Sequence, residues 1–220
     1  MIKIGLTGSR YSGKDRICKL FKQISIPVFN ADVVLKFLLN NNKEVISKIR
    51  KDIGNCVFNS IDETNNSFDL KTISHMGAFD KIVNETEFEL FKAYAKFQLK
   101  NKQSIYTIFH SSILFEREWN KNMDFNINVF APNNDRLERC KNSTNLTFLQ
   151  MYDKLNCEMD SIEKNNLSTY IIHNYNSEHP EILRVKGDIL KQVEIIDQKI
   201  INRYLIDESE KNRKVVVINL

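Results

Sequence analysis

Ile2-Lys3-Ile4-Gly5-Leu6-Thr7-Gly8-Ser9-Arg10-Tyr11-Ser12-Gly13-Lys14-Asp15-Arg16-Ile17 opens the chain, and its reading decides the fold. Ile2, Ile4 and Leu6 read as a buried strand. The segment from Thr7 to Lys14 turns sharply, and Ile17, Leu20 and Phe21 then recur at helical spacing. A strand, a glycine-containing loop and a helix in that order make a cradle for an anion. Gly8 and Gly13 let the backbone of the Gly8-Ser9-Arg10-Tyr11-Ser12-Gly13 loop curl so that successive N–H groups point inward, and the helix adds its positive end. Lys14 has the reach to touch the outer phosphates of a nucleotide. The full spacing GxxxxGK runs from Gly8 to Lys14, but Asp15 and Arg16 follow where Ser or Thr ordinarily ligates Mg²⁺. Asp15 is the candidate metal ligand, because Mg²⁺ prefers hard oxygen donors, and Arg16 offsets its charge.

Composition frames the rest. The chain has 220 residues, 27% of them charged and 42% apolar, with mean hydropathy −0.38, as expected of a globular protein able to bury one sizeable core. A net charge of +4 is mild and suits a polyanionic small substrate; no nucleic-acid partner is expected. No apolar run is long enough to span a bilayer, and no cationic leader precedes the first strand, so a cytoplasmic protein without membrane partner is expected. Cys18, Cys56, Cys140 and Cys157 form no CxxC pair, which favours reduced thiols over zinc or disulfides.

Further strands are expected at Ile26–Phe29, Ile105–Phe109, Phe125–Phe130 and Thr169–His173. Between the second and third, Leu70, Ile73 and Met76 and then Phe88, Phe91, Ala95 and Leu99 recur at three and four residues, so a helical segment intervenes with its aromatic stripe in the core. A helix opens at Asn133 after Ala131-Pro132, and a long one runs from Pro180 towards Ile206. Val215-Val216-Val217-Ile218 reads as an extra strand or a tail. Strands alternating with helices predict an α/β fold with a parallel sheet and right-handed crossovers. Asp32, after the second strand, is both a candidate catalytic acid at a strand end and a candidate helix N-cap.

Taken together these pieces resemble the dephospho-coenzyme A kinase family of P-loop kinases. The resemblance rests on Ile4-Gly5-Leu6-Thr7-Gly8-Ser9 with Ser12-Gly13-Lys14, Ile26-Pro27-Val28 with Ala31-Asp32, Ile113-Leu114-Phe115-Glu116, Ala131-Pro132 with Arg136-Leu137-Glu138-Arg139, and Tyr170-Ile171-Ile172 with Asn174. It implies a P-loop NTPase fold with a five-stranded parallel sheet flanked by helices. The core would comprise residues 1–40, 104–138 and 169–213, the helical coenzyme domain 41–103, the lid 139–168 and the tail 214–220. It also implies ATP and Mg²⁺ as cofactors and transfer of the γ-phosphoryl group to the 3′-hydroxyl of dephospho-coenzyme A, the last step of coenzyme A biosynthesis. A monomer or weak homo-oligomer is expected.

Within that resemblance Asp32 would accept the sugar-hydroxyl proton, Lys14 would neutralise the transferred group, Arg139 would close over the phosphates as a lid arginine, and Asn174 would border the nucleotide. Several positions depart from the family's pattern. Tyr11 replaces a glycine, Asn30 an acid, Asn84-Glu85 an HP pair, His110 a strand-end acid and Ser112 a proline. Asn165 and Leu167 stand where lid arginines are expected, leaving Lys141, Lys154 and Lys164 as nearby positive charge. The alternative reading is a kinase-like protein that binds nucleotide or coenzyme with weak or no catalysis.

Overall fold

The computed structural model describes residues 1–54, 79–144, 147–156, 158–175 and 188–217. Five strands, β1 (Ile2–Thr7), β2 (Val28–Asn30), β3 (Tyr106–His110), β4 (Phe125–Phe130) and β5 (Tyr170–His173), form one sheet in the order β2-β3-β1-β4-β5. β1 pairs in parallel with β3 and β4, and β4 with β5. The helices are α1 (Lys14–Gln23), α2 (Ala31–Asn41), α3 (Lys43–Asp52), α4 (Phe79–Lys100), α5 (Asn133–Ser143), α6 (Phe148–Asn156), α7 (Ser161–Asn166) and α8 (Ile189–Val217). The α/β architecture expected from alternating strands and helices is the one observed.

The central strands are apolar because both faces of a parallel sheet are covered. Ile4, Leu6, Ile108, Ile127, Val129 and Ile172 are buried, and they share a core with Ile17, Cys18 and Phe21 of α1 and Val193, Ile196 and Ile200 of α8. The register aligns the strand ends. Leu6 lies opposite both His110 and Ile127, and Phe130 opposite His173, so the carboxyl ends of β1, β3, β4 and β5 open on one edge of the sheet. That edge is where open α/β sheets receive ligands.

The chain divides into two units, Met1–Val28 with Asn101–Leu220, and Phe29–Lys100. Residues 139–168 fall in the first unit, which carries the sheet. The second unit holds α2, α3 and α4, with Val45, Ile46, Ile49 and Ile82 buried together and Phe29 against Tyr94 and Phe97 at 5.2 and 5.5 Å between ring centroids. Leu70, Ile73 and Met76 lie outside the described residues.

On α4 the buried face is not the expected aromatic one: Phe88 and Leu99 are 75% and 73% exposed, while Ile82, Val83, Thr86, Leu90 and Tyr94 are buried. Two apolar stripes share one helical period, and the aliphatic one, close to α3, wins the core. Val215–Val217 form no strand but the last residues of α8. From Ile189 onward no glycine or proline interrupts that helix, and each added residue extends an existing hydrogen-bond ladder at little cost despite the β-branched side chains. Ile218 lies outside the described residues.

Candidate active site

The loop between β1 and α1 carries two residues in the left-handed region, Tyr11 at φ 62° and Gly13 at φ 91°. For Gly13 this is cheap, and a Cβ there would run into the Asn174 side-chain amide. For Tyr11 the conformation costs about 1–2 kcal/mol, which its surroundings must offset. A Cβ on Gly8 would meet the Ser12 Oγ at 2.5 Å and the Val129 carbonyl at 2.8 Å, so the loop also folds tightly on itself and on β4. Ser9 and Ser12 are buried, and the Ser12 amide closes a turn on the Ser9 carbonyl at 3.0 Å.

What shapes the loop is a set of donors outside it. The carbonyl of Arg10 accepts from Arg136 Nε at 2.9 Å. That of Tyr11 accepts from Arg139 Nη1 at 3.1 Å, and that of Ser12 accepts from Arg139 Nη1 at 3.2 Å and from Asn174 Nδ2 at 2.6 Å. In a trans peptide the N–H points opposite to the carbonyl of the preceding residue. Holding the Arg10 and Ser12 carbonyls therefore turns the amides of Tyr11 and Gly13 away from these donors, while the Ser12 amide is taken by the Ser9 carbonyl. Glu158 completes the frame by accepting from the Arg10 amide at 2.9 and 3.0 Å, and it lies 3.5 Å from Arg136. Burial lowers the Arg136 guanidinium pKa, and the Glu158 carboxylate opposes that shift.

Beside this frame lies a cavity of about 520 Å³ lined by Arg10, Tyr11, Gly13, Lys14, Asp15, Arg139 and Ser143. Tyr11 stands on its rim without filling it. A hydrogen bond to the Cys140 side chain, then burial, raise the Tyr11 phenol above its ordinary pKa, so the ring is anchored towards α5. α1 begins at Lys14 with no side-chain cap, which leaves its positive end to a ligand. Asp15 and Arg16 are exposed on its first turn.

The structure thus brings together Gly8, Ser9, Arg10, Tyr11, Ser12, Gly13, Lys14, Asp15, Arg139 and Asn174, all within the sheet-bearing unit. Asn174 is held from two sides: its amide donates to the Phe130 carbonyl at 2.8 Å, and its own carbonyl accepts from Arg139 Nη2 at 2.6 Å. Asp32 lies in the other unit, half-buried in the first turn of α2; the N-cap there is Asn30, whose side chain accepts from the Val33 amide at 3.0 Å. The capping role read for Asp32 therefore belongs to its neighbour two residues earlier.

Lys164 is also not what its sequence position suggested. It is fully buried, with Nζ 2.7 Å from Glu116 and donating to the Ser112 carbonyl at 3.2 Å, so it braces α7 against the segment after β3 and leaves no charge for a phosphate. Arg136 and Glu158 are the framing residues that sequence reasoning did not single out. The one local signal was the i, i+3 spacing of Arg136 and Arg139, which puts both on the same face of α5.

Residues 2–180 match the family model described as dephospho-CoA kinase. The chain belongs to the dephospho-CoA kinase family. Members are ATP-dependent phosphotransferases of coenzyme A biosynthesis, and the chain's function is dephospho-CoA kinase in that sense. Among curated relatives, the Clostridium perfringens dephospho-CoA kinase is 26% identical over 205 residues, covering 90% of this chain and 95% of the relative. The Clostridium tetani enzyme is 25% identical over 183 residues, covering 80% and 79%. Among solved structures, a dephospho-CoA kinase from Campylobacter jejuni superposes with TM-score 0.59 at 19% identity, covering 90% of this chain and 96% of that one. A Thermus thermophilus crystal structure gives TM-score 0.69 at 17% identity, covering 92% and 97%. These two likenesses show the α/β fold that the chain shares with both structures. The family's donor is ATP and its acceptor a small molecule, dephospho-CoA. Among the described residues no helix is long and apolar enough to cross a membrane.

Proposed function

We propose that the β1–α1 loop of this chain, residues 8–16, binds the polyphosphate of ATP, and that the γ-phosphoryl group passes from there to the 3′-hydroxyl of dephospho-coenzyme A. The observation that carries this reading is the outward tethering of the Arg10 and Ser12 carbonyls, which turns the Tyr11 and Gly13 amides to the opposite face of the loop. Such donors, fixed before the reaction, stabilise charge that develops on phosphoryl oxygens without reorganisation at the moment of transfer.

Lys14 lines the cavity and is the cation that neutralises the transferred group. Asp32 is the base of this reading, on the strength of the Ala31-Asp32 match; a carboxylate there orients the acceptor hydroxyl and takes its proton. Asp15 is the ligand for the divalent cation. Its exposed carboxylate on the first turn of α1 has the hard oxygen donors such an ion requires, and an ion held there would supply charge neutralisation to the phosphates. Arg139 serves first by holding the loop and also borders the cavity, so one guanidinium shapes the amides and adds positive field.

A second reading has a specific observation behind it. Arg139 is committed to three carbonyls and Lys164 to Glu116, so neither of these two cations is in place to close over the phosphates; that favours binding with slow or no turnover. Purified protein incubated with ATP, Mg²⁺ and dephospho-coenzyme A separates the two. Coenzyme A formation well above that of Lys14→Ala supports transfer. A rate equal to that control, with nucleotide still bound, supports the second reading.

A further inference from the structure

The Ser12 amide closes a turn on the Ser9 carbonyl at 3.0 Å, and the third residue of that turn, Tyr11, has φ 62°. A turn with positive φ at this place suits glycine, which is also what the family pattern carries there. The other two non-glycine residues with positive φ among the described residues have local reasons for it. Ser25 closes α1, its amide and that of Ile26 donating back to the Lys22 and Phe21 carbonyls, and Glu118 precedes the 3-10 turn Trp119–Asn122. At Tyr11 the bend is kept although its residue opposes it, and what the exchange adds is an aromatic ring.

That ring is fixed at both ends. Arg139 Nη1 donates to the Tyr11 carbonyl at 3.1 Å, and the phenol hydrogen-bonds to the side chains of Cys140 and Ser143, one turn apart on α5. The side chain therefore runs from the loop to α5 along the wall of the cavity of about 520 Å³, where it is the one aromatic among the described lining residues. A cavity of that size takes a whole small molecule. Its Gly13–Lys14 end, at the uncapped start of α1, suits phosphate; towards Ser143 the wall offers the ring instead. All of these residues belong to the sheet-bearing unit.

We propose that Tyr11 is a nucleoside-binding residue: with the phosphates at the α1 end of the cavity, the base of the donor nucleotide stacks on the Tyr11 ring. The inference rests on the nucleotide-binding reading of the loop given above. A base and a phenol ring attract one another face to face, and a ring already held at its carbonyl and its hydroxyl loses little freedom when the base arrives. A ring that merely braced the loop against α5 would matter equally to every ligand carrying the same phosphates. One that stacks matters only to ligands carrying a base.

The experiment compares ATP with inorganic tripolyphosphate, which has the same phosphate chain and no nucleoside. Binding of each to the full chain is measured by calorimetry in EDTA, so that no phosphoryl group is transferred, for the wild type, Tyr11→Phe, Tyr11→Gly and Tyr11→Asn. Glycine relieves the backbone at this position and asparagine tolerates it, so the two ring-free variants control for each other's effect on the loop. The expected result is that both ring-free variants lose about tenfold more affinity for ATP than for tripolyphosphate, while Tyr11→Phe binds both ligands as the wild type does. Equal losses for the two ligands, no loss for either, or a Tyr11→Phe variant as weak towards ATP as Tyr11→Gly overturns the inference and leaves the loop reading standing. Failure of tripolyphosphate to bind the wild type overturns the loop reading and this inference with it. Should one ring-free variant not fold, the other decides by itself.

Discussion

The Asn174 side-chain amide donates to the Ser12 carbonyl at 2.6 Å, joining the residue after β5 to the phosphate loop 162 positions earlier. Asn174→Ala leaves that carbonyl without this donor in a buried setting. Stability is expected to fall by about 1–3 kcal/mol, read as a lower urea midpoint, and ADP affinity by about tenfold, read by calorimetry, because the Gly13 amide loses its fixed direction.

Arg139 holds three carbonyls with one planar fork, a geometry lysine cannot copy. Arg139→Lys is expected to lower the melting temperature of the ligand-free protein, by the equivalent of about 1–3 kcal/mol. An arginine acting only on bound phosphates would leave the ligand-free melt where it is.

Lys164 and Glu116 form a pair whose lysine is wholly buried. Lys164→Ala strands the carboxylate beside a cavity, and a loss of about 3–5 kcal/mol is expected in denaturant unfolding. Lys164→Met combined with Glu116→Leu should recover most of it, since exchange of both partners removes the uncompensated charge.

Tyr106 has no exposed surface, and its hydroxyl donates to Asp197 at 2.6 Å. Burial first, then the Asp197 carboxylate, push its pKa far above the ordinary value of about 10. The folded state therefore keeps the phenol neutral where the unfolded state ionises. This contribution to stability is complete below about pH 10 and is lost as pH rises beyond it. Urea midpoints measured between pH 8 and 11 should fall less steeply for Tyr106→Phe than for the wild type.

Much of this was legible in the sequence because it is local. The glycines, the lysine and the flanking apolar runs specify the loop within twenty residues, and the alternation of strands and helices specifies a parallel sheet. What was hidden depends on distance. Arg136 and Glu158 act on Arg10 from 126 and 148 positions away, and nothing in the spacing of either announces it. On α4 a period of 3.6 residues fits both Phe88–Leu99 and Ile82–Tyr94, and only the packing of the unit decides which stripe is buried. At the chain's end, Val215 to Val217 have strand preference but continue a helix already formed.

The most direct test of the polyphosphate cradle is the melting temperature of the full chain with and without ATP, in wild type and Lys14→Ala. Ligand at about a hundredfold excess over its dissociation constant adds about 2.7 kcal/mol, which for a chain of this size is a rise of several degrees. The account predicts that rise in the wild type and a much smaller one in Lys14→Ala; no ATP-dependent rise in the wild type would contradict it.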